Sequence, residues 1–222
     1  IIYSCFIMSV SLQAQEHFAD RYNVSYITMD DGLPHNSIDD IYKDTYGFLW
    51  ISTVGGGLSR YDGYEFIHFN PNTPHSKLKS NFIHNVYEDR FHRLWIVSEG
   101  GTDIIDLSTL QSVVPNDPKG LLPRFINHPT YIVILDSQGC IWLQCDNALH
   151  RITFDAEGGI DTLSTLDLPE LDEPDLILKD IDEDGKIWTG INGTIYKISP
   201  TAQGKLEKHS ISEQLTFWPG IY

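Results

Sequence analysis

The sequence predicts an all-β chain, a β-propeller of four-stranded antiparallel blades, here an N-terminal partial array of about four. Three observations lead there. DTYGFLW (44–50) returns as DRFHRLW (89–95), DSQGCIW (136–142) and DEDGKIW (182–188), so Trp50, Trp95, Trp142 and Trp188 stand 45, 47 and 46 residues apart. Each copy is followed by a short run of strand character, a cluster of small or turn-forming residues and a second strand: ISTVGGGLSRYD, IVSEGGTDIIDL, LQCDNALHRI and TGINGTIYKIS. Each is preceded by another apolar-rich run, SIDDIYK, FIHNVYE, TYIVIL and LILKDI, and EFIHFN (65–70) reads as a fourth strand. A period of about 40–50 residues with four strands per unit marks the blades of a propeller.

The elements follow in order. The first fourteen residues, IIYSCFIMSVSLQA, carry no charge and end on a small residue before Gln15, which is the pattern of a signal-peptide remnant (1–14) and implies export. The stretch is too short for a membrane span. Residues 15–33 form a polar lead-in with strand character at VSYITM (24–29), an orphan outer strand expected to complete the last blade and close the ring. The blades are expected over 34–222, at about 34–70, 81–114, 127–166 and 174–210, with LTFWPGIY starting a fifth. Pro-containing connections separate them. Within each blade an Asp-x-x-Gly turn supplies a side-chain acceptor and a residue free to take positive φ, so the chain reverses and the aliphatic-Trp pair opens the return strand. A blade cannot bury its own faces, so the Trp is expected to pack between blades.

Composition narrows the function. The chain has 222 residues, is 41% hydrophobic and carries a net charge of −16 without a basic run, which argues against a nucleic-acid partner. The same charge disfavours a highly anionic glycan. Cys140 and Cys145 are five apart on one expected strand, point to opposite faces and cannot bridge each other. DIDEDG (180–185) opens like a calcium loop, but the twelfth position is Ile191, so a solvated acidic turn is the better reading and no metal is expected. No cofactor motif and no nucleophile or metalloprotease motif is present, and Gly55–Gly57 leads into a strand rather than a helix.

The candidate site is the face where the lead-in loops and the turns between second and third strands converge. It would bring His35, Asn36, Asn81 and His84 together with Thr53, Ser98, Glu99 and Asn147. Such polar groups suit a sugar, which needs many directional hydrogen bonds. Asn36 and Asn81 recur at equivalent places, which equally fits a turn-capping role.

The string DDGLPHNSIDDIYKDTYGFLWISTVGGGLSRYDGYEFIHF (30–69) resembles the two-component regulator propeller repeat, with its G-L-x-x-N opening, D-x-x-G-x-φ-W turn, G-G-L return and R-Y-D-G-Y close. The second copy has His92 at the turn glycine and Thr102 and Asp103 in the return, and the later copies keep mainly Asp, Gly and Trp. The resemblance implies the extracytoplasmic sensor region of a hybrid two-component system of Bacteroidetes, on the periplasmic side of the inner membrane and joined to it through a downstream segment. It further implies an oligosaccharide ligand, a homodimer in the full-length protein and a histidine kinase outside these residues, with no catalysis in this fragment. A propeller lyase or hydrolase acting on glycans, or a plain interaction scaffold, stands as the alternative.

Overall fold

The computed structural model describes residues 25–74, 77–169, 180–191 and 194–211. The expected signal-peptide remnant, most of the lead-in and the start of a fifth unit, with Trp218, lie outside the described residues. The chain divides into two compact units, Ile1–Leu33 and Pro34–Tyr222. In the first, the strand expected over 24–29 is not formed: residues 25–28 belong to no strand, and Met29–Asp31 form a 3-10 turn. Local hydrogen bonds explain this. Thr28 N–H donates to the Asp31 carboxylate at 2.9 Å, and Thr28 Oγ1 accepts from Asp30 N at 3.2 Å. This reciprocal cap turns the chain before it can extend, and Gly32 ends the turn at φ 110°.

The second unit consists, among the described residues, of four antiparallel sheets in sequence order. Sheet one holds β1 (Ile38–Lys43), β2 (Leu49–Thr53), β3 (Gly57–Tyr61) and β4 (Phe66–Phe69). Sheet two holds β5 (Ile83–Glu88), β6 (Arg93–Ser98) and β7 (Gly101–Asp106). Sheet three holds β8 (Thr130–Leu135), β9 (Ile141–Cys145), β10 (Ala148–Phe154) and β11 (Ile160–Asp167). Sheet four holds β12 (Asp180–Ile181), β13 (Ile187–Ile191), β14 (Thr194–Pro200) and β15 (Leu206–Ser210). Neighbours in sequence are neighbours in each sheet, as propeller blades require.

Blade two departs from the expected four strands. After β7 the Asp106 carboxylate captures the N–H groups of Ser108 and Thr109, Leu110 takes φ 58°, and the return reaches only a single bridge, Ile105 to Ser112. Val113 N–H still donates to Ile104 at 2.9 Å, and then Pro115 and Pro118, which lack an N–H, end the run.

The blades stack through one repeating contact. Trp50, Leu58 and Phe69 of blade one pack on Ile83, Val86, Leu94 and Ile96 of blade two. Trp95, Val97 and Ile104 of blade two pack with Val133, Ile141, Leu143 and Ile152 of blade three. Trp142 and Leu149 of blade three meet Ile187, Ile198 and Leu206 of blade four. Period-two alternation gives every blade a tryptophan face and an aliphatic face, and each interface joins one of each. Trp50, Trp95 and Trp142 are fully buried, whereas Trp188 is half-buried.

Each buried indole has a partner for its N–H. Trp50, Trp95, Trp142 and Trp188 donate to Asp44, Asp89, Asp136 and Asp182 at 2.8, 2.8, 2.9 and 2.8 Å. The other carboxylate oxygen of the same Asp accepts the backbone N–H four residues on, from Phe48, Arg93, Cys140 and Lys186. One Asp therefore closes the turn and fixes the ring six residues later, which explains why the two residues recur at one spacing.

Candidate ligand-binding face

The lead-in loops and the turns between second and third strands do lie at one end of the blades, held by backbone bonds. Val54 N–H donates to Ser37 O at 3.0 Å in blade one, and Glu99 N–H to Phe82 O at 3.3 Å in blade two. The next blade is tied in by the same loops. Gly57 N–H donates to Asn81 O at 3.0 Å, and Thr102 N–H to Ile126 O at 3.1 Å. Gly57 and Gly101 take φ 81° and 118°, and a side chain at either would strike a backbone carbonyl, of Phe69 or Ile126.

The sequence-predicted residues divide between two roles. His35 turns back on its own loop, its Nδ1 accepting Ser37 N–H at 3.0 Å, and Asn36 is exposed beside it. Ser98 is buried and structural: its hydroxyl donates to Gly101 O and accepts Gly100 N–H. Glu99 and Asn147 are exposed on the turns. Asn81, His84 and Thr53 are different, because the buried atoms Asn81 Oδ1, His84 Nε2 and Thr53 Oγ1 make no hydrogen bond among the described residues, and neither does Ser52 Oγ. Buried polar atoms are ordinarily paired, and these four unpaired atoms lie at one end of blades one and two.

His84 is positioned by a bulge that the sequence does not announce. The pairing of the inner strands of blades one to three slips by one residue, between Ile38 and Asp40, Ile83 and Asn85, and Thr130 and Ile132. The extra residues are Asp39, His84 and Tyr131, and a bulge re-aims the residue it carries. The His84 and Tyr131 rings stand 5.5 Å apart. Burial raises the Tyr131 phenol above its ordinary value, with the charges of Asp146 and Glu99 adding to it. Tyr131 and Asp146 escaped the sequence reading because neither recurs between copies.

Beside this group, blade three carries a cavity of about 540 Å³ lined by Asp146, Asn147, His150, Thr165 and Asp167, with Cys145 and Pro169 at its margin. His150 Nδ1 lies 2.9 Å from Thr165 Oγ1, and His128 Nδ1 lies 3.5 Å from Asp146. The lining offers carboxylate and amide acceptors at close quarters, suited to hydroxyl donors and unsuited to anions. A second cavity, of about 410 Å³, sits at the opposite, Asp-x-x-Gly end and is lined by Tyr87, Ile134, Leu135, Ser137, Ile181, Asp182 and Glu183.

Other candidates resolve as structure. In the acidic turn, Asp182 spends its oxygens on Asp184 N–H, Lys186 N–H and the Trp188 indole, and Asp184 pairs with Lys186 at 2.8 Å. The Trp188 bond and these backbone N–H groups hold the Asp182 carboxyl below its usual range. Cys140 precedes β9 and Cys145 ends it, both buried, and burial pushes their thiols up to about 11 and about 12, which makes them inert. No group of three metal-ligating side chains occurs among the described residues.

Comparison with known proteins places these blades. The two component regulator propeller family matches residues 32–55 and 77–100, the lead-in, turn and Trp of blades one and two. These segments of blades one and two match the two component regulator propeller repeat. Among solved structures, the chain is similar to the extracellular domain assigned to a hybrid two component system of B. thetaiotaomicron, at 25% identity and a TM-score of 0.60, over 87% of this chain and 27% of that one. A second such extracellular domain from B. thetaiotaomicron matches at 21% identity and a TM-score of 0.61, over 83% of this chain and 26% of that one. The chain thus spans about a quarter of the length of these relatives. Virginiamycin B lyase from Staphylococcus aureus matches at 17% identity and a TM-score of 0.52, over 79% of this chain and 56% of that one, a likeness that shows the propeller fold alone. The curated proteins contain no match. No helix among the described residues is long and apolar enough to cross a membrane.

Proposed function

We propose that these propeller repeats form part of the extracytoplasmic sensing region of a hybrid two-component regulator, a non-catalytic module that binds an oligosaccharide and signals to a histidine kinase elsewhere in the full-length protein. In this reading the region lies on the periplasmic side of the inner membrane, reaches the membrane through a downstream segment and works as a homodimer. The observation that carries the reading is the likeness, at 25% identity over 87% of the chain, to an extracellular domain assigned to such a system.

The chemistry of the lead-in face supports a sugar. Asn81 and His84, which are partly exposed and whose Oδ1 and Nε2 make no hydrogen bond among the described residues, offer an acceptor and a ring nitrogen to hydroxyl groups. The carboxylates of Asp146 and Asp167 in the adjoining cavity favour a neutral oligosaccharide over a uronic or sulfated one. Calorimetric titration with neutral and uronic oligosaccharides tests this. The expected result is saturable binding of a neutral oligosaccharide without product, weakened about tenfold or more by His84→Ala, since a lost buried hydrogen bond costs about 1–3 kcal/mol. Turnover of the glycan would support a lyase or hydrolase instead. Unchanged affinity in both His35→Ala and His84→Ala would place the ligand off this face.

A further inference from the structure

We propose that Phe82 is the aromatic platform of the ligand face: one pyranose ring of a neutral, β-linked oligosaccharide stacks on it while Asn81 and His84, on the same loop, meet the hydroxyl groups. The inference rests on the sugar-binding reading and names the kind of sugar that the face selects.

The place of Phe82 in the repeat carries the argument. Ile38, Ile83 and Thr130 pair with Thr53, Ser98 and Cys145, so the residues before them, Ser37, Phe82 and Pro129, are equivalent in blades one to three. A residue that every blade needs for packing recurs, as the tryptophans do, but an aromatic ring at this place does not. Nor does the ring enter the core: Phe82 is 48% exposed, whereas its neighbour Ile83 is fully buried. It stands at the seam of two described blades, with Cε1 3.6 Å from the point where a Cβ on Gly55 would lie. Val54, beside Gly55 on the same turn, is 42% exposed and extends the apolar surface.

The backbone that carries the ring is fixed on both sides. Phe82 N–H donates to Ser80 Oγ at 3.0 Å, Phe82 O accepts Glu99 N–H at 3.3 Å, and the preceding Asn81 O accepts Gly57 N–H at 3.0 Å. A platform held in this way loses little freedom when a ligand settles on it. The face of an aromatic ring is the negative end of its quadrupole and attracts C–H groups. β-Linked glucose, xylose and galactose units each have at least one ring face made of C–H bonds, with the hydroxyl groups around the rim. Such a unit lays its apolar face on Phe82 and its rim against Asn81 and His84, the pairing of an apolar wall with a few polar groups that small-molecule sites use.

Calorimetric titration of the wild type and of Phe82→Ala, Phe82→Leu and Phe82→Trp with cellopentaose, xylopentaose and β-galactopentaose tests the proposal, with α-linked maltopentaose as the contrast. The wild type should bind at least one β-linked probe. Phe82→Ala and Phe82→Leu should each weaken that binding about tenfold or more, and Phe82→Trp, which restores a ring face, should keep or tighten it. In proton spectra the C–H resonances of the bound sugar should move upfield with the wild type and not with Phe82→Ala. Binding of a β-linked probe that Phe82→Ala or Phe82→Leu leaves unchanged, or that Phe82→Trp abolishes, overturns this inference and leaves the sugar-binding reading standing, as does binding of maltopentaose alone. A wild type that binds none of the four overturns both.

Discussion

Asp89 shows how much one side chain does in this fold. Its carboxylate, fully buried, accepts from Phe91 N–H, Arg93 N–H, Arg93 Nε at 2.7 Å and the Trp95 indole. Asp89→Ala leaves the buried Arg93 guanidinium without its counter-charge, with only Gly158 O still accepting from it at 2.7 Å, and the indole unpaired, and removal of one partner of a buried ion pair costs about 3–5 kcal/mol. Asp182 performs the same duty for Trp188 from a half-buried position, where Asp182→Ala should cost only about 1 kcal/mol. Urea denaturation of the two variants should show that contrast. His92 offers the opposite case, since it holds φ 56° at the place where the other three turns have glycine. Its imidazole contacts Glu88 Oε1 at 2.8 Å, but Glu88 is already satisfied by Thr45 N–H at 2.7 Å and Thr45 Oγ1 at 2.6 Å. His92→Gly relieves a left-handed residue, worth about 1 kcal/mol, at the loss of a contact from a half-exposed imidazole to the buried Glu88, which keeps its Thr45 partners, so the melting temperature should rise slightly.

At the scale of the element, the inner strands are joined by a clasp built on their bulges. The Asp40 carboxylate of β1 accepts Val86 N–H of β5 at 3.1 Å, and the Asn85 amide of β5 accepts Val133 N–H of β8 at 2.7 Å. The corresponding residue of β8 is Ile132, which has no acceptor to offer blade four. Burial raises the Asp40 carboxyl above its usual range, outweighing the N–H bonds from Val86 and Ile41 that lower it. A carboxyl raised by folding penalises the folded state most above its folded value, and the penalty fades as pH falls toward the unfolded value of about 3.9. Asp40→Asn keeps an acceptor for Val86 without the charge. Its melting temperature should therefore exceed the wild type's at pH 7, with the difference shrinking toward about pH 4. Asn85→Ala should lose stability at both pH values.

The same scale shows what the sequence could and could not convey. The Asp-x-x-Gly turn and its Trp were legible because one carboxylate serves both, so neither residue can drift from the other. The clasp was hidden because Asp40, Asn85 and Ile132 share a position without sharing chemistry, and a bulge adds a residue without marking it. SVVP after β7 has strand character yet forms one bridge, since the Asp106 turn and Pro115 leave too little chain to pair. At the candidate face, Asn81, His84 and Thr53 were visible from their place on recurring loops. Tyr131, Asp146 and Asp167 were not, because they meet only when blade three is folded.

For the whole molecule, stability lies in the contacts between blades, three of which join the four described blades. The central claim is that blades one to three each contribute one indole to the seam with the next blade, held by a carboxylate six residues earlier. Hydrogen exchange of the four indole N–H groups, followed by nitrogen-15 correlation spectra and assigned with single Trp→Phe variants, tests it most directly. Trp50, Trp95 and Trp142 should exchange only with global unfolding, and the half-buried Trp188 at least about tenfold faster. Exchange of the first three at the rate of a free indole, or a Trp188 as protected as they are, would contradict the account.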